Sequence, residues 1–265
     1  MMTATMDERV SDAAGAYGFR AVTRMEWRKL RSVRSTWWTL AVFAAGMIGI
    51  AILVGLKPPD HPPADYDPTG NGFAGLAIGQ LALGTLGVLA LSTEFTSGSI
   101  RATFAAVPRR GLVLAAKAAV ITAVTLSAGE VLAFASFAAS QAPVPHGYVH
   151  ATLGQPGVLR AVLMAGAYPA LIALIGLGLA ALIRHTAGAL AALVGVVFVL
   201  PLILLPLGQH NAAMKFLPMI IAENSLTAVK PVADSLSAGA GLALLCLYAA
   251  VALAAGGWAM AHRDA

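Results

Sequence analysis

Six long stretches nearly free of charge limit what this chain can become. They cover residues 37–56, 73–92, 112–139, 158–183, 187–207 and 238–260, each 20 to 28 residues long. A helix needs about 20 predominantly apolar residues to cross a hydrocarbon core of about 30 Å, so each of the six is long enough. Together they take up about half of the 265 residues and leave no room for a separate soluble domain. The runs are continuously apolar and lack the ten-residue alternation of a membrane barrel, so helices are expected. Pro169, Gly176, Gly178 and Pro201 lie inside them and are tolerated where neighbouring helices re-satisfy the backbone. The third and fourth runs exceed the length required, which predicts tilt or projection beyond the lipid.

Composition points the same way. Only 11% of the residues are charged and 58% are hydrophobic, with a mean hydropathy of +0.79. An ordinary soluble domain has about 25% charged residues to cover its surface, and a disordered chain is poorer still in apolar residues. The single cysteine, Cys246, excludes an internal disulfide framework and a multi-cysteine metal site, and within the last run it reads as a small packing residue. The expected class is therefore an all-α integral membrane protein with six transmembrane helices.

Lys and Arg near the ends of the runs set the orientation. One side carries eleven: Arg20, Arg24, Arg28, Lys29, Arg31, Arg34, Arg101, Arg109, Arg110, Arg184 and Arg263. The other side carries three, Lys57, Lys215 and Lys230. This asymmetry predicts that both termini are cytoplasmic, with residues 1–17 a flexible tail and 261–265 a short C-terminal extension. It also accounts for most of the net charge of +5 without a nucleic-acid partner, because the basic residues flank lipid-crossing helices. The first run follows 36 residues and is 20 long, unlike the short apolar stretch of a cleaved signal peptide, so it reads as a retained span.

Two segments outside the runs have patterns of their own. In residues 18–36, Phe19, Val22, Met25 or Glu26, Trp27, Leu30 and Val33 recur at helical steps with basic residues opposite. The pattern predicts an amphipathic helix in the headgroup plane, anchored by Trp27, Arg28, Lys29, Arg31 and Arg34, with Trp37 and Trp38 marking the interface where the first span begins. It serves either as an anchor alone or as a docking element. In residues 93–111, Phe95, Ile100, Phe104 and Val107 can share a helical face, and Pro108-Arg109-Arg110-Gly111 ends that helix.

At this loop a resemblance becomes specific. Glu94-Phe95, Gly98-Ser99, Arg101, Pro108, Arg110 and Lys117, in that order between a second and a third span, resemble the permease subunits of ABC transporters of the type 2 exporter class. The stretch from Glu26 to Trp38 is similar to the opening of many actinobacterial members. The likeness covers the chain after residue 18 and implies a coupling helix within residues 94–107, seated in a cleft of an ATP-binding subunit. Glu94 and Arg101 would then be polar contacts and Gly98 a point of close approach; the alternative is that both charges only solvate an interfacial helix. The resemblance also implies a homodimer or a heterodimer with a similar permease in the plasma membrane, surrounded by membrane lipids. No G-x-x-x-x-G-K-[ST] loop occurs in the sequence, so ATP would be bound by the partner subunit, and this chain would have no catalytic residue, metal or directly bound cofactor.

Residues 208–237 are too short in apolar residues to cross yet too apolar for a free loop. The resemblance places short re-entrant helices here, closing the outer end of the pathway, while a surface-lying helix fits equally. Glu130 is the sole acid within a span and must be protonated, paired or facing water, either as a pathway polar residue or as a structural carboxylate. Lys117 and Arg160 lie near span ends where long stems can snorkel. His146 and His150 are four apart but lack a glutamate partner, so no metal site is expected. Gly75 and Gly79 form a small-residue pair suited either to packing within the chain or to a dimer interface. A secondary transporter should show internal repeats and several midplane polar groups, and a membrane-embedded enzyme a polar cluster at one depth; neither pattern is found. An assembly subunit is not distinguished by sequence.

Overall fold

The computed structural model describes residues 18–59, 61, 66–145, 147–204, 214–228 and 236–263. The expected tail at 1–17 and His146 lie outside them, as do parts of the 208–237 segment and the last two residues. Among the described residues there is no strand, and six helices are long and apolar enough to cross a membrane. The protein is a multi-pass membrane protein.

Helix α1 (Phe19–Ser32) precedes the first span, α2 (Arg34–Gly55), with an extended break at Val33. A short 3-10 turn, Pro68–Phe73, leads into α3 (Leu76–Thr96). A tight turn and the short α4 (Ile100–Ala106) connect it to the longest helix, α5 (Arg110–Gln141). Helix α6 (Val158–Ile183) is followed by α7 (Thr186–Leu204), α8 (Pro218–Leu226) and the last span, α9 (Ala238–His262). Five of the expected spans coincide with these helices to within a few residues; the fifth run's last three residues, 205–207, are not described.

Helix α6 is the centre of the bundle, packing on α3, α5 and α9. Of its most apolar window 67% is buried, against 22%, 22% and 17% for α2, α7 and α9, which therefore turn most of their apolar surface outward. Close approach depends on small residues. Gly75 and Gly79 settle against the backbone of Gly46 and Met47 and against the ring of Phe43 on α2, so this pair is used within the chain. Pro169 sits inside α6 without interrupting it. In α7 the backbone widens to a π-turn over Gly195–Val199 just before Pro201, whose missing N–H and ring displace the regular hydrogen-bond ladder.

One end of the bundle collects the basic residues. There α1 and α4 rest on the start of α5 through a small second core of Val22, Val107, Val113 and Ala116. The end of α9 lies at the same end, so the first and last described residues are on one side of the bundle. At the opposite end α8 packs on α6 and α9, and Arg160 donates to the carbonyl of Thr227 at 2.7 Å. Arg160 therefore caps the end of α8 rather than merely snorkelling.

Candidate functional site

The residues that set this chain apart from a plain helical bundle lie at the basic end, where four helices share one ionic cluster. Lys117 is eight residues into α5, with Val113, Leu114, Val120 and Ile121 buried around it. Its side chain is only 3% exposed. The expectation that Lys117 snorkels is thus corrected: the carboxylates come to it. Its ammonium donates to Glu26 Oε2 on α1 at 2.5 Å, to Glu94 Oε1 on α3 at 2.5 Å and to the carbonyl of Ala90 at 3.2 Å.

Lys29 closes the cluster from one helical turn along α1. It donates to Glu26 Oε1 at 3.1 Å, Glu94 Oε1 at 3.2 Å and Thr103 Oγ1 of α4 at 3.2 Å. The Thr103 hydroxyl donates in turn to Glu94 Oε2 at 3.3 Å. An ammonium has three N–H donors, and both lysines use all of theirs. Two carboxylates balance two ammonium groups, so the cluster is neutral as a unit. That balance matters because a buried charge is tolerated only when paired and hydrogen-bonded.

The expected site residues therefore divide. Glu94 is turned inward as a strut between α3, α5, α1 and α4. Lys29 leaves the interfacial set for the same cluster, while Trp27, Arg28, Arg31, Arg34, Trp37 and Trp38 remain exposed. Trp37 donates its ring N–H to the Arg31 carbonyl at 3.1 Å, bracing the break between α1 and α2. Phe95 is half-buried beneath the Arg184 guanidinium, 5.2 Å above its ring. Gly98 meets nothing of its own chain within 4 Å of where a Cβ would be. Its φ of +72° gives the left-handed residue that ends α3, a conformation glycine adopts without strain.

The short α4 has two sides. Ile100, Thr103 and, just after it, Val107 are buried, whereas Ser99, Arg101, Pro108 and Arg109 are exposed. Arg110 turns the other way: its guanidinium donates to the carbonyls of Met260 at 2.7 Å and Arg263 at 2.9 Å and lies 5.1 Å over Phe104. Arg184 adds a bond to Ala259 at 2.9 Å. The unpaired carbonyls at the end of α9 are thus met by cations, as the helix dipole favours.

Glu130 lies far from this cluster, on α5 against Gly166 of α6. A Cβ on Gly166 would fall 2.6 Å from the Glu130 carboxyl carbon, so the glycine makes room for the acid, and Oε2 has no hydrogen-bond partner among the described residues. Cys246 is exposed on α9, which corrects its reading as a packing residue. No group of three metal-ligating side chains occurs among the described residues.

Sequence reasoning missed Glu26, Thr103 and the role of Lys117. A signal was present: a lone lysine inside an apolar run requires carboxylates within reach, and Glu26 interrupts the apolar face of α1. No protein-family model, curated protein or solved structure matches the chain.

Proposed function

We propose that the chain is the transmembrane permease subunit of an ATP-driven exporter of the ABC type, forming a pathway with a second permease and coupled to separate ATP-binding subunits. The observation that carries this reading is the mounting of α4. A seven-residue helix that only connected two spans would need little anchoring. Here its inner side is fixed by Ile100, Val107 and the Thr103 contact to the ionic cluster, while its outer side, with Arg101 and Arg109, stays free. A load applied to that outer side would pass through Thr103 and Glu94 into α3, α5 and α1 together. Such a rigid lever is what transmission from an ATPase to a membrane bundle requires, and its two positions would be the two states of a transport cycle.

In this reading the basic end faces the cytoplasm of a cell whose plasma membrane holds the protein, and α1 lies along the headgroups as an interfacial helix. Arg101 takes the polar contact with the ATPase. Glu94 acts behind it as a positioning residue, so the shared role first expected for the two is divided. Helix α8, with Ile221, Ala222 and Leu226 buried against the bundle, is the re-entrant closure of the outer end. Glu130 is the polar residue of the pathway.

The test is capture from the native membrane. The chain should co-purify with a subunit carrying a phosphate-binding loop. Arg101→Glu should abolish that capture while leaving the fold intact, and Arg20→Glu on α1 should not. Repeated purification without any nucleotide-binding partner would defeat the proposal, as would intact ATP-dependent transport after joint replacement of Glu94 and Arg101.

A further inference from the structure

The ionic cluster forms one end of a cavity of about 440 Å³ between α1, α2, α3, α4 and α5, within the range of small-molecule sites. The far end is walled by Leu86, Leu89, Ala90, Val120 and Ile121 and carries no charge. From Leu86 to Glu94 the cavity follows α3 for about 12 Å, at 1.5 Å per residue. A second, more open hollow adjoins it along α1, lined by Arg24, Met25 and Arg28, and the two share Lys29 and Ser32 as walls. The charges around the two adjoining hollows are distributed unevenly. Glu26, Glu94, Lys29 and Lys117 cancel one another, whereas Arg24 and Arg28 make no ion pair among the described residues. Four residues apart on a helix, the two arginines stand on one face. The pair of hollows is therefore apolar at one end and cationic at the other.

We infer that one anionic phospholipid occupies it, with its phosphate on Arg24 and Arg28 and an acyl chain in the cavity beside Leu89 and Ile121. The end walled by Leu86, Leu89 and Ile121 offers water few hydrogen-bond partners, and left empty it would forfeit the dispersion contacts of its walls. A soluble phosphate would satisfy the arginines but not the cavity. A zwitterionic lipid would fill the cavity but bring its own cation to the arginines. Only a molecule joining an acyl chain to a net negative head fits both halves, and the membrane supplies one at this depth, where α1 meets the ends of the spans. This site goes beyond the coupling role and does not depend on an ATPase partner.

The experiment uses the full chain in detergent, titrated separately with dioleoyl phosphatidylglycerol, dioleoyl phosphatidylcholine and inorganic phosphate. Thermal unfolding reports binding, and native mass spectrometry counts the lipid retained. Phosphatidylglycerol should raise the unfolding temperature and remain bound at one per chain, with no comparable effect from the other two. Joint Arg24→Gln and Arg28→Gln replacement should weaken its apparent affinity about 30-fold, from the gain of each basic residue beside anionic lipid. Leu89→Trp, which fills the cavity, should abolish retention in a chain that stays monodisperse and helical; Ile121→Phe serves if that variant does not fold. Equal stabilisation by both lipids would overturn the inference by removing charge recognition. Stabilisation by phosphate alone would assign the arginines to a soluble anion, and undiminished affinity in the folded cavity-filling variant would place the acyl chain elsewhere.

Discussion

Replacing Lys117 by methionine should undo the attachment of α1 to the bundle. The side chain volume is nearly kept, so the change removes a charge and three hydrogen bonds without opening a large cavity. Glu26, 4% exposed, and Glu94, 12% exposed, would be left with Lys29 as their one cation in the cluster, its side chain 37% exposed and its contacts 3.1 and 3.2 Å against 2.5 Å for those lost. Removing one partner from a buried ionic group costs about 3–5 kcal/mol, because the remaining charge stays desolvated. Adding Glu26→Gln removes one charge of each sign and leaves the Lys29–Glu94 pair, so the double variant should recover to within about 2 kcal/mol of the parent. The measurement is unfolding in mixed micelles followed by the fluorescence of Trp27, with Trp37, Trp38 and Trp258 replaced by Phe, alongside trypsin cleavage at Arg24 and Arg28. The single variant should expose α1 to the protease at detergent levels where the parent is protected. A single variant within about 1 kcal/mol of the parent, with α1 still protected, would refute the claim that the cluster holds these helices together.

Three further outcomes are expected. Arg110→Ala strips two donors from the end of α9 and should cost about 1–3 kcal/mol, seen as faster hydrogen exchange in the final turn before Arg263. Gly166→Ala places a methyl group against the Glu130 carboxyl and, at 2.7 Å, against its Cα, and should destabilise the α5–α6 contact by about 1–3 kcal/mol; Glu130→Ala in the same chain should relieve only part of that loss in the same unfolding assay, because the backbone clash remains. Tyr168→Phe removes the hydroxyl that donates to Gln80 Oε1 at 2.5 Å between buried faces of α3 and α6, and should cost about 1–3 kcal/mol, whereas the double change with Gln80→Leu should be close to neutral.

The spans were legible because bilayer crossing imposes length and apolarity on contiguous residues, a property that a linear reading detects. The buried side of α4 through Ile100 and Val107 was legible for a related reason, since helical spacing is local, but the turn at Gly98, which leaves Phe95 on α3 rather than on α4, was not. What lay beyond reach was pairing between distant segments. Glu26 and Lys117 are 91 positions apart, and nothing local tells that a lysine near a span end meets two carboxylates instead of water. Lys29 could not be separated from its basic neighbours for the same reason: on a helical wheel it is one of six cations, and only the position of α3 beside it selects the one that turns inward. The outward face of Cys246 depends on which side of α9 meets α6, which the uniformly apolar sequence of that helix does not encode.

The order of the cluster along the chain has a consequence for biosynthesis. Glu26, Lys29 and Glu94 are all translated before Lys117. A lysine entering the bilayer within an apolar helix costs about 2.5–3.5 kcal/mol near the centre on insertion scales. By the time α5 leaves the ribosome, both acidic partners are already made and α3 is ready to receive it, so the ammonium can pass from water to carboxylate without a stage alone in lipid. The cluster would then act as a register mark during insertion: α5 comes to rest at the depth where Lys117 first meets Glu94. Moving the lysine by a single turn would shift the longest helix by about 5.4 Å along its axis.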